Sequence, residues 1–297
     1  MFFLHSVSIR VIGLVVVLVT LSGCQFFRGQ YSPLEPFSPQ PTTLGQILPQ
    51  LEQRWAPVGT YQAQGAMALS GEGIRGTVSF RSNTLYESPA NIRVRASRGP
   101  KTVFEVLQTG SVVSIVDGTE EKVYVGAVEE LLSHPGIIGG IEPLEIARAL
   151  LIGQSFMNAL NVTRASGGEV ENIAFEGDRL ALSQVFTAPG ETKPNRLEEY
   201  VVRREDGLIE GARLVQRQSD GQMVEVVVQY DEWGIDPQGM PYPKQFVIHS
   251  QSPKTELKVE VEESEINPKF TPQVFSIDQD KYEMRPLEQL LQPSGEN

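Results

Sequence analysis

Residues 255–266 read TELKVEVEESEI, with Leu257, Val259 and Val261 on one side of a period-two pattern and Lys258, Glu260 and Glu262 on the other. Extended backbone sends successive side chains to opposite faces, so this segment is a strand with one apolar face and one wet face. The pattern recurs in MVEVVVQYDEW, where Val224, Val226, Val228 and Tyr230 share a face. Strand-like segments also run through TYQAQGAMALS, IRGTVSFRS, NIRVRAS, TVFEVLQ, SVVSIVD and KVYVG, and resume after Gly167 and Gly168. Their links are short and carry turn residues: Gly71-Glu72-Gly73, Gly99-Pro100, Thr109-Gly110 and Asp117-Gly118. Short links between alternating segments make antiparallel meanders. About eleven strands are predicted.

Helical spacing is confined to a few places. Leu44, Ile47, Leu48, Leu51 and Trp55 recur at three- and four-residue steps, with Pro49 either kinking that helix or marking its first turn. A short helix is predicted at 128–134 and a clearer one at 141–153, where Pro143 suits the first turn, Ile146, Ala147, Leu150 and Leu151 form the stripe, and Gly153 suits the end. The order is helix, meander, helices, second meander, a mainly β (α+β) chain.

The one cysteine, Cys24, follows the uncharged run VIGLVVVLVTL at 11–21, and Arg10 is the sole formal charge before it. A basic start, a short apolar core and small residues at the exit are the layout of a secretory signal. Leu21-Ser22-Gly23-Cys24 resembles the lipobox of bacterial lipoproteins. That resemblance implies cleavage of residues 1–23, a diacylglycerol thioether on Cys24 and fatty acids such as palmitate on the new terminus. Such chains, at about 0.8 kcal/mol per buried CH₂, hold a domain at a bilayer. The alternative is an uncleaved anchor, since residues 2–21 are about long enough to span a membrane.

Residues 24–43 contain Pro33, Pro36, Pro39 and Pro41 and read as a lipidated, semi-rigid tether, reaching about 60 Å at about 3.1 Å per residue. The other reading is a loop packed on the domain, since Phe26, Phe27 and Phe37 are there to dock it. Residues 279–297 read as a polar tail with a short helix at PLEQLL.

Charge narrows the partners. The formal net charge is −12, which repels phosphate backbones and argues against nucleic acid. With Cys24 lipidated, no thiol remains for a disulfide, a thiolate metal site or a nucleophile. Three histidines, His5, His134 and His249, stand apart without metal-ligand spacing. Gly136, Gly139 and Gly140 lack the Lys-Ser/Thr of a phosphate loop and read as a turn before a helix. The paired acids, such as Glu198 and Glu199, point to opposite faces of a strand and make no dyad. Arg93 and Arg95 share a face, and read either as solvent-facing or as a site for an acidic head group. No constellation supports catalysis, a metal or a cofactor.

Taken together, the strand YQAQGAMAL after a helix ending in Trp55, then VSF, SPANIRVRAS, VFEVLQTGSVVSIV and KVYVG, resemble the LolA/LolB-like superfamily. The segment YPKQFVIHSQSPKTELKVEVEESEINPKFTPQVFSI is similar to its closing strands. The resemblance covers residues 44–278. It implies a curved, open antiparallel half-barrel with helices covering its concave face and an apolar cavity between them. It also implies a non-catalytic carrier or acceptor of acyl chains or lipidated proteins in the cell envelope. Gln25 after the cysteine favours the outer membrane, by analogy with known sorting rules. A sheet this wide with so few helices leaves apolar surface to line a void. The candidates are Val78, Phe80, Ile92, Val94, Phe104, Val106, Val226, Val228, Leu257 and Val259, with Ile146 and Leu150 from the helix. The alternative is that these residues fill a dry core and the protein is a structural or interaction module.

Overall fold

The computed structural model describes residues 33–291, apart from residues 56, 73, 89–90, 133–140, 142, 158–171, 187–195, 218–220, 222 and 252–253. The signal segment, Cys24, His134 and the glycines at 136–140 lie outside the described residues. Residues from Pro33 onward form one compact unit. All the described core residues lie within this unit.

The chain enters through α1 (Leu44–Arg54) and makes a first meander: β1 (Thr60–Gly71), β2 (Val78–Glu87), β3 (Asn91–Arg98), β4 (Lys101–Thr109), β5 (Val112–Asp117) and β6 (Lys122–Ala127). Helices α2 (Val128–Leu132) and α3 (Pro143–Leu150) follow. A second meander is built from β7 (Asn172–Glu176), β8 (Arg179–Phe186), β9 (Arg196–Arg203), β10 (Ile209–Arg217), β11 (Met223–Ile235), β12 (Pro241–Gln251) and β13 (Lys254–Ile266). Two 3₁₀ turns, a short β14 (Glu283–Pro286) and α4 (Glu288–Leu291) close it.

Among the described residues all fourteen strands join one sheet, in the order β14-β6-β5-β4-β3-β2-β1-β13-β12-β11-β10-β9-β8-β7. The two meanders meet where β1 pairs with β13, and every pairing except β14 with β6 is antiparallel. The count exceeds the eleven or so expected. Every alternating segment becomes its own strand, and β14, EMRP, has no alternation to betray it.

Register explains the two faces. Leu182, Tyr200, Ala212, Val228, Ile248, Leu257, Leu69 and Val78 are successive cross-strand partners, an unbroken apolar row from β8 to β2. This inner face carries the main core.

The sheet is open and curved. Helix α3 packs on β3 and β12, and Tyr230 of β11 donates its hydroxyl to the Ala149 carbonyl at 3.0 Å. It also faces β9 and β10. Strands β3 and β9 are seven steps apart, about 34 Å in a flat sheet, whereas an eight-residue helix is about 12 Å long. One short helix reaches both only if the sheet bends around it. Bulges at Gln64/Gly65, Ala96/Ser97 and Tyr230/Glu232 supply local bends. At Gly65 a Cβ would sit 1.9 Å from the Glu260 carbonyl oxygen, so the close approach of β1 and β13 at this bulge needs glycine.

Helix α1 starts ahead of Pro49: the Gln46 side chain accepts from the Thr42 and Thr43 N–H groups at 2.8 and 3.3 Å, and Pro49 lies inside the helix. Ile47, Leu51 and Trp55 form its buried stripe, and Trp55 Nε1 donates to the Gly207 carbonyl at 3.1 Å. The Pro-rich stretch expected as a tether is, from Phe37 to Pro41, part of the domain. Phe37 is buried and its N–H donates to the Glu205 carbonyl at 2.7 Å. Gln40 bonds the Phe37 and Glu205 carbonyls, and Arg204 donates to the Pro41 carbonyl. A ring of Phe37's size gains more by docking than the proline backbone gains by staying in water.

The expected polar tail also begins later than residue 279. From β13 the chain crosses the outer face, where the turn Pro272–Phe275 packs on β3 and β4. It then pairs β14 in parallel with β6. Leu287 is fully buried in a second core with Val106, Val113, Ile115, Tyr124 and Leu131. Pro286 blunts that edge of the sheet, because it offers no N–H for further pairing.

Candidate functional site

Helix α3, PLEIARAL, splits by face. Ile146, Ala147 and Leu150 are buried in the core, while Glu145 and Arg148, three residues apart, bond at 2.7 Å on the other side. Opposite it, β9 reads RLEEYVVR, and its alternation turns Glu198, Tyr200 and Val202 inward, all buried. A carboxylate on an apolar face needs partners. Glu198 has them: Arg196 bonds it, and the Tyr200 hydroxyl donates to it at 3.0 Å. The Tyr200 phenol is pushed well above its ordinary range, first by burial and then by the Glu198 charge.

Between these two elements lies a cleft of about 270 Å³. Ala149 and Ile152 wall it from the helical side, and Ala212, Leu214, Val226 and Val228 from the sheet. Glu145, Arg148, Arg196 and Glu198 stand at its polar end. Arg213 borders it too, but Glu199 and Glu225 each bond its guanidinium at 2.6 Å. The next cross-strand row of the inner face is Gln184, Glu198, Leu214, Val226, Ser250 and Thr255. It is polar at both ends and apolar in the middle. The Ser250 and Thr255 hydroxyls are buried without a hydrogen-bond partner.

Of the residues singled out in the sequence, Val226 and Val228 line this cleft. Ile92, Val94, Ile146, Leu150, Leu257 and Val259 are packed in the main core, and Val106 lies in the second. Val78 is half-buried, and Phe80 and Phe104 stack edge to face at 5.8 Å. Arg93 and Arg95 do not face solvent freely. Both bond the buried Glu105, at 2.7 and 2.6 Å, and Arg93 also donates to the Val274 carbonyl. The turn Pro272–Phe275 that shelters Arg93 joins the sheet from the far end of the chain, while Arg95 stays exposed at its edge of the pair. His249 lies 3.6 Å from Glu256. Among the described residues no group of three His, Cys, Asp or Glu side chains could hold a metal, and no helix is long and apolar enough to cross a membrane.

Arg148, Arg196, Glu198 and Tyr200 were missed. The signal was present in register: Glu198 shares parity with Tyr200 and Val202, which puts an acid on the apolar face. Gly153 was misread as a helix end. It lies inside a second helical segment over 152–157, where a Cβ would come within 1.9 Å of the Trp55 ring.

No family model matches the sequence, and no curated protein matches it. Solved structures do. A DUF1329 family protein from Desulfovibrio piger aligns over 78% of this chain and 95% of its own at a TM-score of 0.53 and 8% identity. A LolA superfamily protein from Nitrosomonas europaea aligns over 80% and 99% at 0.51 and 11%. The fold is LolA-like. A third structure, an outer membrane lipoprotein-sorting protein domain from Vibrio parahaemolyticus, covers 77% of this chain and 94% of its own at 0.51 and 10%. The LolA-like fold places the cleft described above on the inner face of a curved sheet.

Proposed function

We propose that this chain is a lipid-anchored cell-envelope protein that takes an acyl chain, free or attached to a protein, into the cleft between α3 and β9–β11, and acts without catalysis as a carrier or acceptor. The observation that carries this reading is an apolar cleft of about 270 Å³ left open on the inner face of a LolA-like sheet. Water against the apolar walls of Ala149, Ile152, Leu214, Val226 and Val228 has no polar partner there, and a hydrocarbon chain replaces it at a gain of about 0.8 kcal/mol per buried CH₂ before ordering losses. Helices α1 and α3 plug the concave side of the half-barrel and leave the cleft at one end. Cys24 carries the lipid, and its neighbour Gln25 directs the protein to the outer membrane, facing the periplasm.

The test uses the domain from Pro33 and a fluorescent fatty acid. Saturable micromolar binding, lost in a folded Val226→Trp variant that fills the cleft, is the expected result. No binding and no co-purifying lipid overturn the carrier reading. The filled inner face favours a second reading, a structural or protein-interaction lipoprotein, since most of the candidate lining is packed as core. Cys24→Ala abolishes incorporation of labelled palmitate in cells; unchanged labelling removes the anchor.

A further inference from the structure

The turn between β11 and β12, residues 236–240, lies against the end of β13. Its first residue, Asp236, is 5% exposed although it carries a carboxylate. One oxygen of that carboxylate is used locally. Oδ1 accepts from the Gln238 and Met240 N–H groups at 2.9 and 2.8 Å, which closes the turn. The Gln238 side chain then donates to the Ile266 carbonyl at 2.6 Å and pins the turn to β13. The other oxygen, Oδ2, is buried and has no hydrogen-bond partner. A buried carboxylate oxygen without a donor is costly, so a group that supplies one is held there.

A hollow of about 270 Å³ opens beside this turn, walled by Asp236, Gln238, Gln62, Gln64, Glu263 and Glu265. Register places the last four: Gln64 pairs with Glu263 and Gln62 with Glu265. Tyr61 and Ala63, which alternate with these glutamines, are in the main core, so the glutamines point to the outer face. Glu263 and Glu265 are exposed, and among the described residues no ion pair holds Asp236, Glu263 or Glu265. The walls are rich in acceptors and lack a cation. The three carboxylates form no group that could hold a metal ion. The hollow is also far larger than the roughly 30 Å³ that a water molecule takes. A lysine or arginine side chain fits both facts, because it brings several N–H donors on a long stem. The hollow continues into a second one of about 390 Å³, which shares Gln64 and Glu263 with it and reaches Arg95 of β3. There the Asn83 Oδ1 atom is buried and also lacks a donor. From β13 to β3 is three strand steps, about 14 Å, a trough that suits a stretch of polypeptide better than a free small cation.

We infer that this trough on the outer face binds a basic segment of a partner protein, with one lysine or arginine side chain seated in the hollow against Asp236, Glu263 and Glu265. The net charge of −12 draws such a segment in at long range, and the trough gives it a place to dock. The acyl cleft lies on the opposite face of the sheet, so this site stands or falls independently of the acyl-binding reading.

The experiment titrates the full-length protein against a short fluorescent peptide, one central lysine among glycines and serines, and follows its anisotropy. Companion peptides carry arginine, norleucine or glutamate at the central place, and free cadaverine serves as a competitor. The lysine or arginine peptide is expected to bind about tenfold or more tightly than the norleucine peptide. Asp236→Asn keeps an acceptor for the Gln238 and Met240 N–H groups and removes the charge, and it abolishes that advantage. The exposed pair Glu263→Gln/Glu265→Gln does the same without touching a buried group. Glu72→Gln, an exposed acid just beyond the far end of β1, leaves the advantage intact. Equal binding of the lysine and norleucine peptides overturns the site. A loss in Glu72→Gln as large as in Asp236→Asn assigns the attraction to overall charge and overturns it as well. Displacement of the peptide by cadaverine at equal concentration overturns the protein partner and names a free diamine in its place.

Discussion

Gly153→Ala tests how α1 is locked to the rest of the domain. A Cβ at residue 153 would lie 1.9 Å from Trp55 Cε3, against 3.4 Å for an ordinary contact, so the indole has to move by about 1.5 Å. Its room is confined to a void of about 30 Å³ that it shares with Trp233 and Gly153. Trp233 packs on it at 5.5 Å between ring centroids, Tyr230 packs on Trp233 at 5.3 Å, and Trp55 Nε1 is tied to the Gly207 carbonyl. Overpacking of a filled core costs about 1–3 kcal/mol. Breaking the buried indole bond adds about 0.5–1.5 kcal/mol. The expected loss is therefore about 3 kcal/mol, a shift of about a hundredfold in the folding equilibrium. The backbone at 153 has no left-handed conformation to lose, so the whole effect is steric. Urea unfolding of the protein reads it directly, because Trp55 and Trp233 are its two tryptophans and pack against each other at a tilt of 59°. The second measurement is a cycle with Trp55→Leu, in which the smaller side chain makes room. Gly153→Ala then costs under about 1 kcal/mol in the Trp55→Leu background, a non-additivity that neighbours sharing one cavity produce. A loss below about 0.5 kcal/mol in the single variant, with unchanged tryptophan emission, would refute the packing account.

Four further outcomes are expected. Glu105→Ala strands the nearly buried Arg93 beside Arg95 and costs about 3 kcal/mol in denaturant unfolding, more than the surface change Glu262→Ala does. Leu287→Ala opens a void in the second core, costs about 2–4 kcal/mol, and speeds hydrogen exchange in β6 and β14 ahead of β11 to β13. Thr255→Val removes a buried hydroxyl that has no partner while keeping its shape, and stabilises the fold by about 1 kcal/mol; a loss of that size shows that the hydroxyl is paired. Asp117 accepts from the Thr119 hydroxyl and N–H at 2.6 and 2.8 Å and from the Glu120 N–H. Partial burial pushes its carboxyl up, but these bonds outweigh it and hold the pKa below the ordinary 3.8. The contribution is therefore present above pH about 4 and fades as pH falls through the lowered value, so the stability gap between the protein and Asp117→Ala is level from pH 5 to 8 and closes in acid.

How much of this was legible in the chain depends on the range of the interaction. The faces of β11 and β13 were readable because alternation is set by each residue's own backbone and its next neighbours. The β5–β6 turn was readable for the same reason, as was the amphipathic stripe of α3. The joining of β1 to β13, with Tyr61 opposite Ile266, follows from no local pattern, since many edges could accept that strand and the choice is made by the whole sheet. Three residues show where local reading stopped. Gly153 looks like a helix end until Trp55, nearly a hundred positions earlier, is found against it. Arg93 looks solvent-facing until the turn at Pro272–Phe275 lies over it. Leu287 sits in a polar stretch, yet it is buried because β14 carries it around the edge of the sheet. The cleft was the least legible of all. Val228, which lines it, and Leu257, which does not, are cross-strand partners of Ile248 and belong to one row and one alternation. An inward apolar side chain gives the same sequence signal whether it meets another side chain or an opening. Whether a space is left is the small difference between the area of a fourteen-stranded face and the volume of everything packed on it, and only the tertiary structure sets that difference.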